Sequence, residues 1–164
     1  MCFRAQFPSQ VCEGNFFYFK GQVIGQSNLF FFRILDSNFM DSENLTVLIV
    51  DDEPDICFLL GNMLKQKSFI PVIANTLKEG LDMLRRFSPS LLFLDIHLPD
   101  GSGLDIISRV KKDFPRLKII MMSAYDGPKE KNTAMEQGAD LFISKPLSRE
   151  LISQSLATVM NLNI

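Results

Sequence analysis

Four short strand-like runs end on residues that can do chemistry. VLIV (Val47 to Val50) runs into Asp51 and Asp52, LLFL (Leu91 to Leu94) into Asp95, LKIIMM (Leu117 to Met122) into Ser123, and DLFIS (Asp140 to Ser144) into Lys145. Apolar, β-rich runs of this length bounded by turn residues read as buried strands. In a parallel sheet their carboxyl ends lie along one edge, so residues far apart in sequence converge in one crevice, where ligands of open α/β sheets collect. Clustered carboxylates repel one another unless a cation intervenes. An oxygen-rich, incomplete ligand set suits Mg²⁺, which keeps several waters and takes one or two carboxylates plus phosphate oxygens. Lys145 adds a fixed positive charge, and Ser123 offers a hydroxyl to a phosphoryl oxygen. Together these groups suit phosphoryl transfer to a carboxylate, with Asp95 attacking while metal and lysine neutralise the charge on the equatorial oxygens.

The elements that must position these residues alternate regularly from Thr46 onward. Pro54 sits in the first turn of a helix whose apolar face is Ile56, Leu59, Leu60, Met63 and Leu64, ending near Lys67. FIPVIA (Phe69 to Ala74) reads as a strand, and Pro71, which cannot donate a ladder hydrogen bond, places it at an edge. Thr76 can cap a second helix with Leu77, Leu81, Leu84 and Phe87 on its inner face, stopped by Ser88 and Pro89. Pro99, Gly101 and Gly103 force a loop after Asp95, and a third helix through Leu104, Ile107 and Val110 runs to Pro115. A short polar helix from Pro128 to Gln137 closes on Gly138 as a left-handed cap, and a last helix from Ser148 carries Leu151, Ile152, Leu156, Val159 and Met160 on one face. Five β-α repeats with short loops call for a parallel sheet covered on both faces, and right-handed crossovers make it doubly wound. Periodicity alone does not select the strand order.

Residues 1–43 differ: they carry Phe clusters (Phe16, Phe17 and Phe19, then Phe30 to Phe32), scattered Gly and Gln, and no sustained period. Two readings stand for them. One is a small β-hairpin on FFYFKGQVIG with Gly21 near the turn, although two strands alone are marginal in water. The other needs no structure: Met40 followed by DSENLTVLIVDD would make a natural start, with residues 1–39 an upstream stretch. Residues 44–164 form the domain.

The formal net charge of -2 gives no electrostatic reason to expect nucleic acid. Cys2, Cys12 and Cys57 are odd in number and lack metal-ligand spacing, which points to reduced thiols and a cytoplasmic compartment. No stretch approaches the ~18 apolar residues of a spanning helix.

VLIVDDEPD, LLFLDIHLPDGSG, IIMMSA and LFISKP, in this order and spacing, resemble the receiver domain of two-component response regulators, the CheY-like superfamily, over about Leu45 to Ile164. The resemblance implies a flavodoxin-like fold, a five-stranded parallel sheet of order 2-1-3-4-5 flanked by five helices. It makes Asp95 the phospho-acceptor and Asp52 a direct Mg²⁺ ligand. Asp51 then holds the ion through water, and the backbone carbonyl of His97 is a further ligand. It puts Ser123 at the Ser/Thr switch position, Lys145 before Pro146 at the family's lysine position, and Phe142 at the switch aromatic, which would turn inward into the space that Ser123 vacates on phosphorylation. The implied partner is a histidine kinase or phosphotransfer protein. An effector would read the face made by the fourth helix, fifth strand and fifth helix, with a homodimer as a further expectation on phosphorylation. No catalysis is expected beyond self-phosphorylation and autodephosphorylation.

Competing readings are weaker. Haloacid-dehalogenase-type phosphohydrolases place a second acid two residues beyond the nucleophile, where this chain has His97. GSGLDI lacks the third glycine of a dinucleotide loop and does not follow the first strand. An interaction module that kept only the fold would not need all of Asp51, Asp52, Asp95, Ser123 and Lys145. With no residues after the last helix for an output domain, the expectation is a stand-alone receiver, a relay intermediate, or a piece of a longer regulator or hybrid kinase.

Overall fold

The computed structural model describes residues 17–19, 22–24, 45–125 and 127–160. The chain divides into two compact units, Met1–Ser42 and Glu43–Ile164. In the first, β1 (Phe17–Phe19) pairs antiparallel with β2 (Gln22–Ile24), with Tyr18 opposite Val23. This is the hairpin anticipated on FFYFKGQVIG. Its turn at Gly21, the Phe30 to Phe32 cluster, Met40, Cys2 and Cys12 lie outside the described residues.

The second unit runs β3 (Thr46–Val50), α1 (Pro54–Gln66), β4 (Ile70–Ala74), α2 (Leu77–Phe87), β5 (Leu91–Asp95), the two-residue strands β6 (His97–Leu98) and β7 (Gly101–Ser102), α3 (Ile107–Asp113), β8 (Lys118–Ser123), α4 (Pro128–Glu136), β9 (Leu141–Ser144) and α5 (Arg149–Met160). The sheet is β4-β3-β5-β8-β9 and parallel throughout. Counting its five strands in chain order gives 2-1-3-4-5, the doubly wound flavodoxin-like arrangement. Successive side chains of a strand point to opposite faces. Leu48, Val50, Leu92, Leu94, Ile119 and Met121 therefore pack with Leu77, Leu84, Ile107, Val110 and Ala134 of α2, α3 and α4. Val47, Ile49, Leu91, Phe93, Ile120 and Met122 pack with Cys57, Leu60 and Leu64 of α1 and with Ile152, Leu156 and Val159 of α5. Burial on both faces is why these strands are apolar without alternation.

The edge position inferred from Pro71 is where β4 lies, and its Ile70 and Ile73 are 47% and 41% exposed. Two positions assigned to inner helical faces lie further out: Leu59 and Phe87 are each about two-fifths exposed, because α1 and α2 turn them toward the rim of their contacts. The third helix is also shorter at its start than expected. Gly103–Ile106 winds as a 3-10 turn, the backbone N–H of Leu104 capped by the Ser102 hydroxyl, and the α-helix begins only at Ile107. Thr76 caps α2 as anticipated, accepting from Glu79 N, while the Glu79 carboxylate accepts from Asn75 N. Gly138 closes α4 at φ +106°, in the left-handed region that favours glycine. No helix among the described residues is long and apolar enough to cross a membrane.

One ion cluster ties the far end of the sheet together. Asp140, just before β9, accepts hydrogen bonds from Lys111 of α3, from the Lys118 ammonium at 3.0 Å and from Ile119 N at 2.9 Å. Burial pushes its carboxyl up, but the Lys111 hydrogen bond and those from Ile119 and Lys118 outweigh burial and hold it below the usual carboxylate range. Asp140→Ala is expected to cost about 2 kcal/mol, read from the urea midpoint, because the Ile119 N–H loses its acceptor and Lys111 and Lys118 lose their carboxylate. A depressed folded-state pKa stabilises above the unfolded value and ceases to do so as pH falls through the folded one. The difference between wild type and variant should therefore shrink in acid.

Candidate functional site

Each strand end delivers its residue to one edge. Asp95 and Ser123 are the last residues of β5 and β8, while Asp51 and Lys145 directly follow β3 and β9. The ladder continues past β3, with Asp51 N donating to Ala74 O, and past β9, with Lys145 N donating to Ser123 O at 2.7 Å. These bonds leave little freedom in where the side chains start.

Lys145 is the hub. Its side chain is only 8% exposed, and its Nζ donates to Glu53 Oε1 at 2.6 Å and lies 3.0 Å from both Asp51 Oδ2 and Asp95 Oδ1. Burial works against its charge, but Glu53, Asp51 and Asp95 together outweigh burial and raise its pKa, so it is an ammonium throughout the physiological range. Asp51 is fully buried; its Oδ1 accepts from Glu53 N at 2.9 Å. Its Oδ2 forms an ion pair with Lys145 and has no other polar partner among the described residues. Desolvation raises the Asp51 pKa more than the Glu53 N–H and Lys145 lower it. The Asp95 carboxylate is held at its other oxygen by His97 N at 2.9 Å.

The loop after Asp95 is built around that carboxylate. β6 and β7 form a tight antiparallel ribbon, and Gly103 N donates to Ile96 O at 2.8 Å. A Cβ at Gly103 would lie 2.2 Å from Asp95 O, so only glycine lets the chain close against the strand end. Asp100, at the tip of the loop, accepts from the N–H groups of Leu77 at 2.8 Å and Lys78 at 3.0 Å, which ties the loop to the start of α2. Those two bonds hold its carboxyl below the usual range.

Of the residues singled out by sequence, Asp51, Asp95 and Lys145 meet directly. Ser123 is fully buried at the adjoining strand end, its Oγ accepting from Tyr125 N at 3.0 Å and donating to Glu130 Oε2 at 3.3 Å. Asp52 is not drawn in: it is exposed, with no hydrogen bond or ion pair among the described residues. Glu53 takes the place beside Lys145 instead. The reason is local: the chain bends at Asp52, and Glu53 N–H turns back to donate to Asp51 Oδ1, which leaves the Asp52 side chain exposed and brings Glu53 to Lys145. Nothing local in DDE marks Glu53 for that place, since its partner is 92 residues away. Nothing in sequence pointed to Glu130. The His97 ring is exposed, with its Nε2 4.0 Å from Glu130 Oε1, so its contribution to Asp95 is through the backbone.

Phe142 departs from the expected starting point. A switch aromatic that turns inward must begin outside, whereas Phe142 is 8% exposed and already packs in the α2–α3–α4 layer. Phenylalanine has no hydroxyl to keep near water. Cys57 is the core thiol anticipated; it donates to Asp51 O at 3.3 Å, and burial, with Asp51 nearby, pushes its pKa to about 11.

No three His, Cys, Asp or Glu side chains among the described residues converge as a ready-made metal cage. The donor set instead fits an ion that keeps its waters. Asp51 Oδ2 and Asp95 Oδ1 are buried carboxylate oxygens on either side of the Lys145 ammonium, the partial oxygen set that suits a hard divalent cation completed by water and phosphate.

Comparison with known proteins agrees with this geometry. Residues 47–157 match the family described as the response regulator receiver domain. The chain is 28% identical over 120 residues to the probable transcriptional regulatory protein TcrX of Mycobacterium tuberculosis, covering 73% of this chain and 51% of TcrX. It is 35% identical over 115 residues to the response regulator protein PilR of Pseudomonas aeruginosa, covering 70% of this chain and 26% of PilR. The chain thus spans about half and about a quarter of these two relatives. A crystal structure of a response regulator from Burkholderia pseudomallei, with a phosphorylated aspartic acid, a calcium ion and citrate, superposes with a TM-score of 0.64 at 23% identity. That match covers 70% of this chain and 66% of the other. Buried acids, a hydroxyl and a lysine gathered at the carboxyl edge of a 2-1-3-4-5 sheet, together with a match over most of the folded unit, show that the chain belongs to the receiver domain family of two-component response regulators.

Proposed function

We propose that the chain is a phosphorylation-activated switch in which Asp95 accepts a phosphoryl group from the phosphohistidine of a histidine kinase or phosphotransfer protein. The observation that carries this reading is the Lys145 ammonium held between Asp51 and Asp95 in a nearly dry strand-end crevice. A carboxylate oxygen of Asp95 attacks phosphorus, the P–N bond to histidine breaks, the imidazole leaves with the bonding pair, and an acyl phosphate remains. Lys145 balances the charge on the transferred group, and His97 N–H keeps the Asp95 carboxylate in a fixed plane. A divalent cation, Mg²⁺ by the chemistry of the donors, would be held by Asp51 and Asp95 with Asp52 and the His97 carbonyl as the ligands added by family resemblance, and would supply further charge neutralisation.

The chain changes its own state and turns nothing over. The effector face proposed is α4, β9 and α5, which adjoins the site through Ser123 and Lys145, and a homodimer through that face is part of the same proposal. Incubating the purified chain with acetyl phosphate and MgCl₂ should add the mass of one phosphoryl group, lost again in hydroxylamine. No gain in mass with either acetyl phosphate or phosphoramidate would defeat the reading.

A further inference from the structure

A serine hydroxyl has one proton to donate. In this structure the proton of Ser123 goes to Glu130 Oε2 at 3.3 Å, and an Oγ lone pair accepts from Tyr125 N at 3.0 Å. Ser123 is fully buried, so its hydroxyl does not exchange these partners with bulk water. A hydroxyl in this position has nothing left to offer a phosphoryl oxygen on Asp95 until Glu130 lets go. Glu130 is three-quarters buried at the first turn of α4, and its other carboxylate oxygen lies 4.0 Å from His97 Nε2.

We propose that Glu130 is a positioning residue that sequesters the Ser123 hydroxyl in the unphosphorylated chain, so that phosphoryl binding at Asp95 breaks the Ser123–Glu130 bond and releases the first turn of α4. The inference rests on Asp95 being the acceptor. It adds a route by which the site reaches the effector face: the new anion takes the serine proton, Glu130 loses its buried partner, and the helix end that carries it is freed to move. Glu130 also opposes loading, because an anionic acceptor must be given up for each anion gained.

The test is a thermodynamic cycle on the full chain with beryllofluoride and MgCl₂, which place a phosphoryl mimic on an aspartate. Binding is followed at the backbone amide of Tyr125, which donates to Ser123 Oγ. Glu130→Ala should tighten beryllofluoride binding by about fivefold, the effect of one modest hydrogen bond. In a Ser123→Ala background the same change should alter binding by less than about twofold, because the hydroxyl through which Glu130 acts is gone. Glu130→Gln keeps the side-chain volume and an acceptor oxygen; it runs through the same cycle, with a smaller gain, should the alanine variant not fold. Equal tightening in both backgrounds would show that Glu130 acts only by repelling the incoming anion, and unchanged or weaker binding would show that it sequesters nothing; either overturns the proposal. Failure of the wild-type chain to bind beryllofluoride at all would instead overturn the assignment of Asp95.

Discussion

Asp95→Asn should take up no phosphoryl group from acetyl phosphate, a loss of at least about a thousandfold, while keeping the fold. The amide oxygen is nearly isosteric with the carboxylate oxygen it replaces, so His97 N keeps an acceptor and Gly103 still closes against the Asp95 carbonyl. What disappears is the nucleophile, since a neutral amide cannot displace imidazole or acetate from phosphorus at a useful rate. Lys145 loses one of three carboxylate neighbours and keeps Asp51 and Glu53, so its charge remains compensated. Intact mass after incubation with phosphodonor and MgCl₂ reads the outcome directly. Uptake retained on Asp51, Asp52 or Glu53 would show that the crevice transfers phosphate but that the wrong carboxylate has been assigned.

The order of elements and the strand ends were readable from residues alone because each depends on short-range pattern. Apolar runs of four to six residues, a Pro at α1, a Thr at the start of α2 and a Gly after α4 each act within a few positions of themselves. Strand order is different in kind, because nothing in periodicity says which strand lies beside which; it came from the ordered motifs taken together. Glu53 was hidden by distance, since its partner Lys145 is 92 residues away. Asp100 was hidden for a related reason: as part of LPDGSG it read as a turn residue, and its role at the start of α2 exists only once the loop folds across that helix. Phe142 shows the limit of reading a position by family. The motif locates the residue, but whether the ring begins inside or outside depends on the hydroxyl it lacks and on how α4 packs over β9.

Replacing Lys145 with alanine should have the second large effect, and it separates the lysine's structural role from its chemical one. Asp51 is fully buried and Asp95 nearly so, and with the ammonium gone two carboxylates share a crevice without a counter-charge. Removing one partner of a buried ion pair typically costs about 3 kcal/mol or more, and the exposed Glu53 adds little to that. Burial already raises the Asp51 pKa in the wild type, and loss of Lys145 removes the positive charge that opposes the rise. A carboxyl whose folded-state pKa lies above its unfolded value binds its proton more tightly when folded, so stability falls as pH rises through the interval between the two values. The deficit of Lys145→Ala should therefore be complete at neutral pH and smaller in mild acid, where Asp51 in the folded chain takes up a proton. Divalent cations should act in the same direction. If Asp51 and Asp95 are the oxygens that hold Mg²⁺, adding MgCl₂ should raise the melting temperature of the alanine variant more than that of wild type, because the cation replaces a charge that wild type already has. Melting curves of both proteins, with and without MgCl₂ and at neutral and mildly acid pH, give all four comparisons. An equal response to the cation in both proteins would place Mg²⁺ away from the crevice, and a deficit that grew in acid would mean that the lysine stabilises the fold through something other than these carboxylates.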